Sequence, residues 1–189
     1  MLREIRALRE AADTATYQQA RGLFRDGDVL LFRGHGPISQ LIRLMTSSLY
    51  SHVGLVYLFA GRVYCLEAVG AGVRLILVSE IMRRHRAGID YYEVISASDA
   101  QRSGAIAFCF QQLGKVYDRP GLLRFAVAIL FGRKLSARED QSWFCSELVA
   151  AAYARQGLTL ATKRATYTSP ADLALSRELR LKLVLRREE

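Results

Sequence analysis

Two apolar segments of equal length lie close together in the first half of the chain. They are His52–Phe59 and Arg62–Val69, and only Ala60-Gly61 separates them. Apolar segments joined by two small residues are typical of a β-hairpin with a tight turn. This hairpin limits the fold more than any other feature, because its turn decides which residues of the two strands lie opposite each other.

The turn predicts a specific register. If residue 59 lies opposite residue 62, counting back along both strands places Gly54 opposite Glu67. His52 then points to the same face of the sheet as Glu67 and is its diagonal neighbour. Gly54 has no side chain, so the space between them stays open. A slip of one residue would move Glu67 to the opposite face.

The rest of the chain predicts a mixture of helices and strands. Apolar residues at helical spacing predict an N-terminal helix within residues 2–24, and leucines that alternate with basic residues predict a final strand at 179–186. The patterns between them predict strands at 29–32, 73–78 and 89–95, helices at 38–45, 100–113 and 142–156, and a helix or loop at 121–132.

Length and composition favour one domain. The chain has 189 residues, 51% of them apolar, and no stretch rich in Pro, Ser or Gly divides it. We therefore expect a single domain over 1–189. Its predicted parts are an N-terminal helix at 1–25, a strand-rich part at 26–96, a helical part at 97–157 and a C-terminal strand region at 158–189.

Cysteine usage and the apolar segments bear on location. The three cysteines are odd in number and widely spaced, which fits neither a disulfide framework nor a zinc site. The first residues are charged and lack the apolar core of a signal peptide. The longest apolar run, 122–131, is interrupted by Arg124 and is too short to span a bilayer. We expect a cytoplasmic protein, soluble or peripheral to a membrane, without metal or cofactor.

The chain is basic, with 27 Lys+Arg against 18 Asp+Glu and a formal net charge of +9. This charge favours an anionic partner such as a membrane surface, although arginines that only solvate the surface explain it equally well. Nucleic acid is not expected, because no basic run is interleaved with aromatic residues and no nucleic-acid-binding motif is present. The oligomeric state is left open.

A histidine and a cysteine stand at the starts of two apolar elements. His52 begins a predicted strand and Cys145 begins a predicted helix, whose N-terminus and an imidazolium partner would both stabilise a thiolate. Glu67 lies in an apolar strand, where an unpaired carboxylate would be costly, so we expect it to have a partner. The pattern indicates Cys145 as nucleophile, His52 as base and Glu67 as the group that orients the base.

Purely structural interpretations compete with this one. A cysteine at a helix start is usually a small buried hydrophobe, and a lone strand histidine is usually structural. Cys65 and Cys109 lie within apolar segments and are interpreted as core residues. His35, in a loop rich in Gly and Pro, could face the site, whereas His85 lies among arginines and is interpreted as a surface residue.

Several short motifs occur in a characteristic order, with the histidine strand before the cysteine helix. They are Asp26-Gly27-Asp28-Val29-Leu30-Leu31, Ser51-His52-Val53-Gly54-Leu55-Val56, Glu67, Gly114-Lys115-Val116-Tyr117-Asp118, Phe144-Cys145-Ser146-Glu147-Leu148-Val149 and Ser169-Pro170-Ala171-Asp172-Leu173. Over most of its length the chain therefore resembles the permuted papain-like amidases of the YiiX/YaeF/YebB type. These are relatives of NlpC-type peptidases and of lecithin retinol acyltransferase.

The resemblance implies an α+β, circularly permuted papain-like fold. Its central antiparallel sheet packs against the helix that carries the cysteine nucleophile. The same three residues receive the same roles, in a Cys-His-Glu triad that works through an acyl-enzyme. The backbone N–H of Cys145 would contribute to an oxyanion hole. Tyr117 and Tyr50 are candidates for lining the site, or packing aromatics, and Asp28 and Asp172 are interpreted as turn and capping residues.

Several functions remain open on this fold. The main prediction is a cysteine amidase or peptidase acting on peptide amides. A lipid ester or amide hydrolase, or an acyltransferase, at a membrane surface is the second, favoured by the basic charge and the apolar segment at 122–131, although that segment is better explained as a core helix. A non-catalytic binding module is the third.

Overall fold

The computed structural model describes residues 1–34, 36, 39–40, 43–44, 48–84, 88–115, 145–161 and 168–187. In chain order its elements are α1 Leu2–Glu10, β1 Asp13–Thr16, α2 Tyr17–Ala20, β2 Val29–Phe32, β3 His52–Phe59, β4 Arg62–Val69, β5 Gly72–Leu77, α3 Val78–Arg84, β6 Ile89–Val94, α4 Asp99–Gln111, α5 Cys145–Ala154, α6 Pro170–Ala174 and β7 Leu179–Arg186. None of the helices in these ranges is long and apolar enough to cross a membrane.

The described strands form one twisted sheet in the order β1-β7-β6-β2-β3-β4-β5. Neighbouring strands are antiparallel, except that the edge strand β1 runs parallel to β7. The predicted α+β class with a central, mainly antiparallel sheet is confirmed. Alternate residues of each strand point to opposite faces, so both faces need cover from helices.

Helices cover both faces of the sheet. Helices α1, α4, α5 and α6 pack on one face, where Val29 and Leu31 of β2 contribute to the core. Helices α2 and α3 pack on the other, where Leu30 and Phe32 contribute. Strand β2 is buried on both faces, which explains why its sequence is continuously apolar instead of alternating.

The predicted hairpin and its register are confirmed. Phe59 lies opposite Arg62, and Gly54 lies opposite Glu67. Both turn residues have left-handed backbone conformations, with φ of 48° at Ala60 and 70° at Gly61. Two such residues make the tight turn whose twist matches that of the flanking strands.

The predicted N-terminal helix is wrong beyond its first part. Helix α1 ends at Glu10, and the chain then forms β1 and the short helix α2. Thr16 caps α2 through a bond between its side chain and the backbone of Gln19. Threonine and aspartate favour extended backbone and caps over helix interiors, and β1 gains hydrogen bonds by pairing with β7.

The other predicted strands and the helices at 100–113 and 142–156 are found, with ends that differ by a few residues within the described part of the chain. The structure adds α3 and α6, for which no prediction was made. Segment 121–132 lies outside the described residues, and so does half of 38–45.

The interpretation of Asp28 as a turn residue is wrong. Asp28 is fully buried and accepts hydrogen bonds from Arg102 Nη1 at 2.6 Å, from the backbone N–H of Val94 at 2.9 Å and from the hydroxyl of Tyr91. Arg102 also donates to the backbone carbonyl of Asp26. This ion pair joins α4 to the start of β2 and to β6. Asp172 is a capping residue as predicted.

Candidate active site

His52 is the first residue of β3 and lies opposite Phe32 of β2. The ring centroids of these two residues are 5.1 Å apart, so Phe32 packs against the imidazole. His52 Nε2 lies 2.7 Å from Glu67 Oε2. The predicted contact between the histidine and the glutamate is present, and packing plus this bond hold the ring in one orientation.

Gly54 provides the space that this contact needs. A Cβ atom built on Gly54 would lie 2.4 Å from Cys65 Sγ, 2.9 Å from the backbone oxygen of Leu66 and 3.2 Å from Glu67 Cβ. Any side chain would therefore displace the strand that carries Glu67. Glycine is required here by close approach of β3 and β4, as the register argument predicted.

Arg74 of β5 is a member of the cluster that the sequence analysis missed. It lies opposite Glu67 and donates to Glu67 Oε1 from Nε at 2.8 Å and from Nη2 at 2.6 Å. A signal was present, because Gly70-Ala71 also separates two apolar segments. Counting back from a turn at those residues would have placed Arg74 opposite Glu67.

Cys145 is the first residue of α5, which packs against β3 and β4. Its side chain is 5% exposed and lies close enough to the His52 ring to raise the pKa of the imidazole. Since Glu67 occupies Nε2, Nδ1 is the ring nitrogen left for the thiol. The backbone N–H groups of the first helical turn have no partner within the helix, and they place partial positive charge beside the sulfur.

The charges of the cluster support one another. Burial lowers the pKa of His52, but the charges of Cys145 and Glu67 and their hydrogen bonds outweigh burial and raise the pKa to about 10. Burial raises the pKa of Glu67, but His52 and Arg74 outweigh it and lower the pKa to about 2. Near neutral pH the pair is therefore an imidazolium and a carboxylate.

The other two cysteines are core residues, as predicted. Cys65 and Cys109 have no exposed surface. Burial raises the pKa of the Cys65 thiol well above its ordinary value, and it raises the pKa of the Cys109 thiol to about 12. Both thiols are protonated and inaccessible near neutral pH, which leaves Cys145 as the cysteine beside a base.

Tyr50 does not line the site. Its side chain is fully buried, and its hydroxyl donates to Asp90 Oδ2 at 2.6 Å and lies 3.0 Å from the hydroxyl of Tyr92. A buried side chain presents no surface to a substrate, so the prediction for Tyr50 is wrong. Tyr117, His35 and His85 lie outside the described residues.

The part of the chain that the structure describes forms no metal site at the cluster. Among the described residues, no group of three or more His, Cys, Asp or Glu side chains could hold a metal ion. The donors of Glu67 are one imidazole and one guanidinium, and a guanidinium does not bind metal.

A helix that begins at a cysteine, packed on a sheet whose histidine strand comes earlier in the chain, defines a permuted papain-like architecture. The model of one protein family, described as "Permuted papain-like amidase enzyme, YaeF/YiiX, C92 family", matches residues 24–173. The chain belongs to this family. The family is described as one of amidase enzymes, which supports the predicted hydrolase class.

Two known proteins are similar to the chain. The "Probable lipoprotein peptidase YaeF" of Escherichia coli (strain K12) is 28% identical over 174 residues, which cover 79% of this chain and 62% of that protein. The chain thus spans less than two thirds of this relative. The crystal structure of yiiX from Escherichia coli O157:H7, described as a metalloprotein, has a TM-score of 0.66 at 19% identity and covers 87% of this chain and 97% of its own. This likeness concerns the fold.

Proposed function

We propose that the protein is a cysteine hydrolase that cleaves amide bonds, with Cys145 as nucleophile, His52 as general base and acid, and Glu67 as the residue that orients His52. One observation carries the proposal: the His52 ring is bonded to Glu67 at 2.7 Å and interacts with Cys145 at a helix start, which raises the pKa of the imidazole. A nucleophile, a base and an orienting group in one connected line are what acyl transfer requires.

The first half of the reaction forms an acyl-enzyme. The Cys145 sulfur attacks the carbonyl carbon of the amide, and the backbone N–H of Cys145 stabilises the negative charge that develops on the carbonyl oxygen. The C–N bond then breaks, and the leaving amine takes a proton from the His52 imidazolium. A thioester on Cys145 and a neutral His52 remain.

The second half releases the acid. His52, now neutral, removes a proton from a water molecule while the water oxygen attacks the thioester carbon. The C–S bond breaks and restores the thiolate beside the imidazolium. Glu67 keeps its charge throughout, so the imidazolium is stabilised at each step in which it forms.

A peptide amide is the substrate that we favour. The similarity to a probable lipoprotein peptidase supports this class. No feature of the described residues favours a lipid ester more specifically, because the net charge of +9 fits any anionic surface.

Chemical labelling tests the nucleophile. The folded protein is treated with limiting iodoacetamide near pH 7, and the labelled cysteine is mapped by mass spectrometry. We expect Cys145 to be modified, with Cys65 and Cys109 unmodified until the protein unfolds. Faster labelling of Cys65 or Cys109 in the native state would show that the nucleophile is wrongly assigned.

A substrate panel tests the reaction. Peptide amides, simple esters and phospholipid vesicles are each assayed with wild type, Cys145→Ala and the matched control Cys109→Ala. We expect amide turnover in wild type and Cys109→Ala, and none in Cys145→Ala. Turnover of phospholipid alone, with salt-sensitive binding to anionic vesicles, would favour the lipid hydrolase. Equal activity in wild type and Cys145→Ala would contradict the cysteine hydrolase and favour a non-catalytic binding module.

A further inference from the structure

We propose that Arg74 is a positioning residue of the active site, which holds Glu67 ionised and turned toward His52. The inference rests on the proposed function of the triad and extends it to a fourth residue. Arg74 touches neither the thiol nor the imidazole in the contacts described above, so its effect passes through Glu67.

The division of hydrogen bonds on the carboxylate supports this role. Both Arg74 donors bond Oε1, at 2.8 and 2.6 Å, whereas His52 bonds Oε2 at 2.7 Å. Two donors from one planar guanidinium fix the plane of the carboxylate as well as its position. Because Oε1 is already occupied, Oε2 is the oxygen directed at the imidazole.

The order of charges supports it as well. In the reactive form, the thiolate of Cys145, the imidazolium of His52, the carboxylate of Glu67 and the guanidinium of Arg74 alternate in sign and sum to zero. Without Arg74, the remaining three carry a net negative charge in a largely buried place. That change disfavours the Glu67 carboxylate, so Glu67 would gain its proton at a higher pH.

The exposure of Arg74 makes the idea testable. Glu67 is buried, but the Arg74 side chain is 45% exposed on the edge strand β5. Replacing it therefore removes little core packing. The chain also offers a matched control, Arg180, which bonds Glu93 across β6 and β7 at 2.7 Å but is 61% exposed and lies outside the cluster.

The experiment measures the rate of Cys145 alkylation by iodoacetamide as a function of pH, together with kcat and KM where a substrate is found. Wild type, R74M, R74K and R180M are compared. We expect the acid limb of the R74M profile to move upward by about one pH unit, since an opposite charge at this distance shifts a carboxyl by that order. R74K should shift less than R74M, because lysine keeps the positive charge but cannot donate two hydrogen bonds from one planar group. R180M should match wild type.

Repeating the comparison in the E67Q variant shows whether Arg74 acts through Glu67. In E67Q, adding R74M should change the alkylation profile no further, whereas two independent residues would give additive effects. An unchanged profile in R74M, or an equal shift in the E67Q background, would overturn the proposal. If R74M does not fold, R74Q replaces it with the same expected shift.

A third readout separates this inference from the proposed function. The carboxyl carbon of Glu67 is followed by ¹³C NMR, which needs neither substrate nor a reactive thiol. We expect Glu67 to titrate at higher pH in R74M than in wild type and R180M. An unreactive Cys145 in wild type would count against the proposed function alone, and an unmoved Glu67 titration in R74M would count against the role of Arg74 alone.

Discussion

Asp28 and Glu67 are two of the buried carboxylates that bond an arginine, and their surroundings differ. Asp28 and Arg102 are both buried, with Arg102 only 2% exposed. The remaining bonds of that pair go to backbone groups and to the hydroxyl of Tyr91. Glu67 is also buried, but its partners are the half-exposed Arg74 and the imidazole of His52.

In the proposed mechanism, this difference separates a structural ion pair from one that takes part in the reaction. In the Asp28–Arg102 pair every partner is a group that keeps its protonation state near neutral pH, so the pair can only hold elements together. Around Glu67 one partner is an imidazole that can lose or gain a proton, and that imidazole also interacts with a thiol. A buried carboxylate becomes part of a reaction when its partner can titrate and lies beside a nucleophile.

The largest expected effect is on activity at Glu67. Replacing Glu67 by Gln should lower kcat by about a thousandfold or more, because an amide cannot stabilise the imidazolium as the orienting carboxylate does. The free energy of unfolding near pH 7 should change by less than the activation free energy of the reaction does. Steady-state kinetics and urea unfolding of E67Q check both statements. A fully active E67Q would remove Glu67 from the mechanism.

The converse result is expected at Arg102. Replacing Arg102 by Met leaves Asp28 buried without its charged partner, so the free energy of unfolding should fall by about 3 to 5 kcal/mol. The activity of the molecules that remain folded should match wild type. Urea unfolding, with activity normalised to the folded fraction, provides the measurement. A stable R102M with low kcat would reverse the assignment of the two pairs.

A substitution at Gly54 should affect both properties. In G54A the added methyl group meets the sulfur of Cys65 and the backbone of Leu66, so β3 and β4 must separate. We expect a loss of about 2 to 3 kcal/mol in the free energy of unfolding, the usual cost of overpacking, and a lower kcat because Glu67 moves. G61A is the matched comparison, because the Cβ position of Gly61 is open and only the strain of its positive φ remains.

The smallest expected effect is a pH dependence of stability. The Glu67 pKa of about 2 lies below its ordinary 4.5, so its contribution is present above pH 4.5 and is lost as pH falls toward 2. The His52 pKa of about 10 lies above its ordinary 6.5, so its contribution is complete below pH 6.5 and is lost as pH rises toward 10. The stability difference between wild type and E67Q should therefore be greatest between pH 4.5 and 6.5, at roughly 2 kcal/mol. A difference that does not vary with pH would contradict it.

Local patterns were enough to predict much of the fold and the central part of the site. The two-residue turn at Ala60-Gly61 placed His52 and Glu67 on one face, because strand pairing next to a tight turn has little freedom. The same reasoning from Gly70-Ala71 would have reached Arg74. The helix that begins at Cys145 was predicted from its apolar run.

Other features depended on distant partners. Residues 13–16 form a strand because β7, far along the chain, offers an edge to pair with. Tyr50 is a core residue because its hydroxyl donates to Asp90 and also contacts the hydroxyl of Tyr92 in the interior. Asp28 is buried because Arg102 reaches it from α4. None of these partners can be identified from neighbouring residues.

The sequence by itself determined the hairpin, the shared face of His52 and Glu67, and the order of the histidine strand and the cysteine helix, since all three follow from local periodicity and position in the chain. Only the tertiary structure decided that the Cys145 thiol meets the His52 ring and that the two arginine pairs differ in kind. The reason is that helix packing, burial and charge neighbours are set by contacts between segments far apart in sequence.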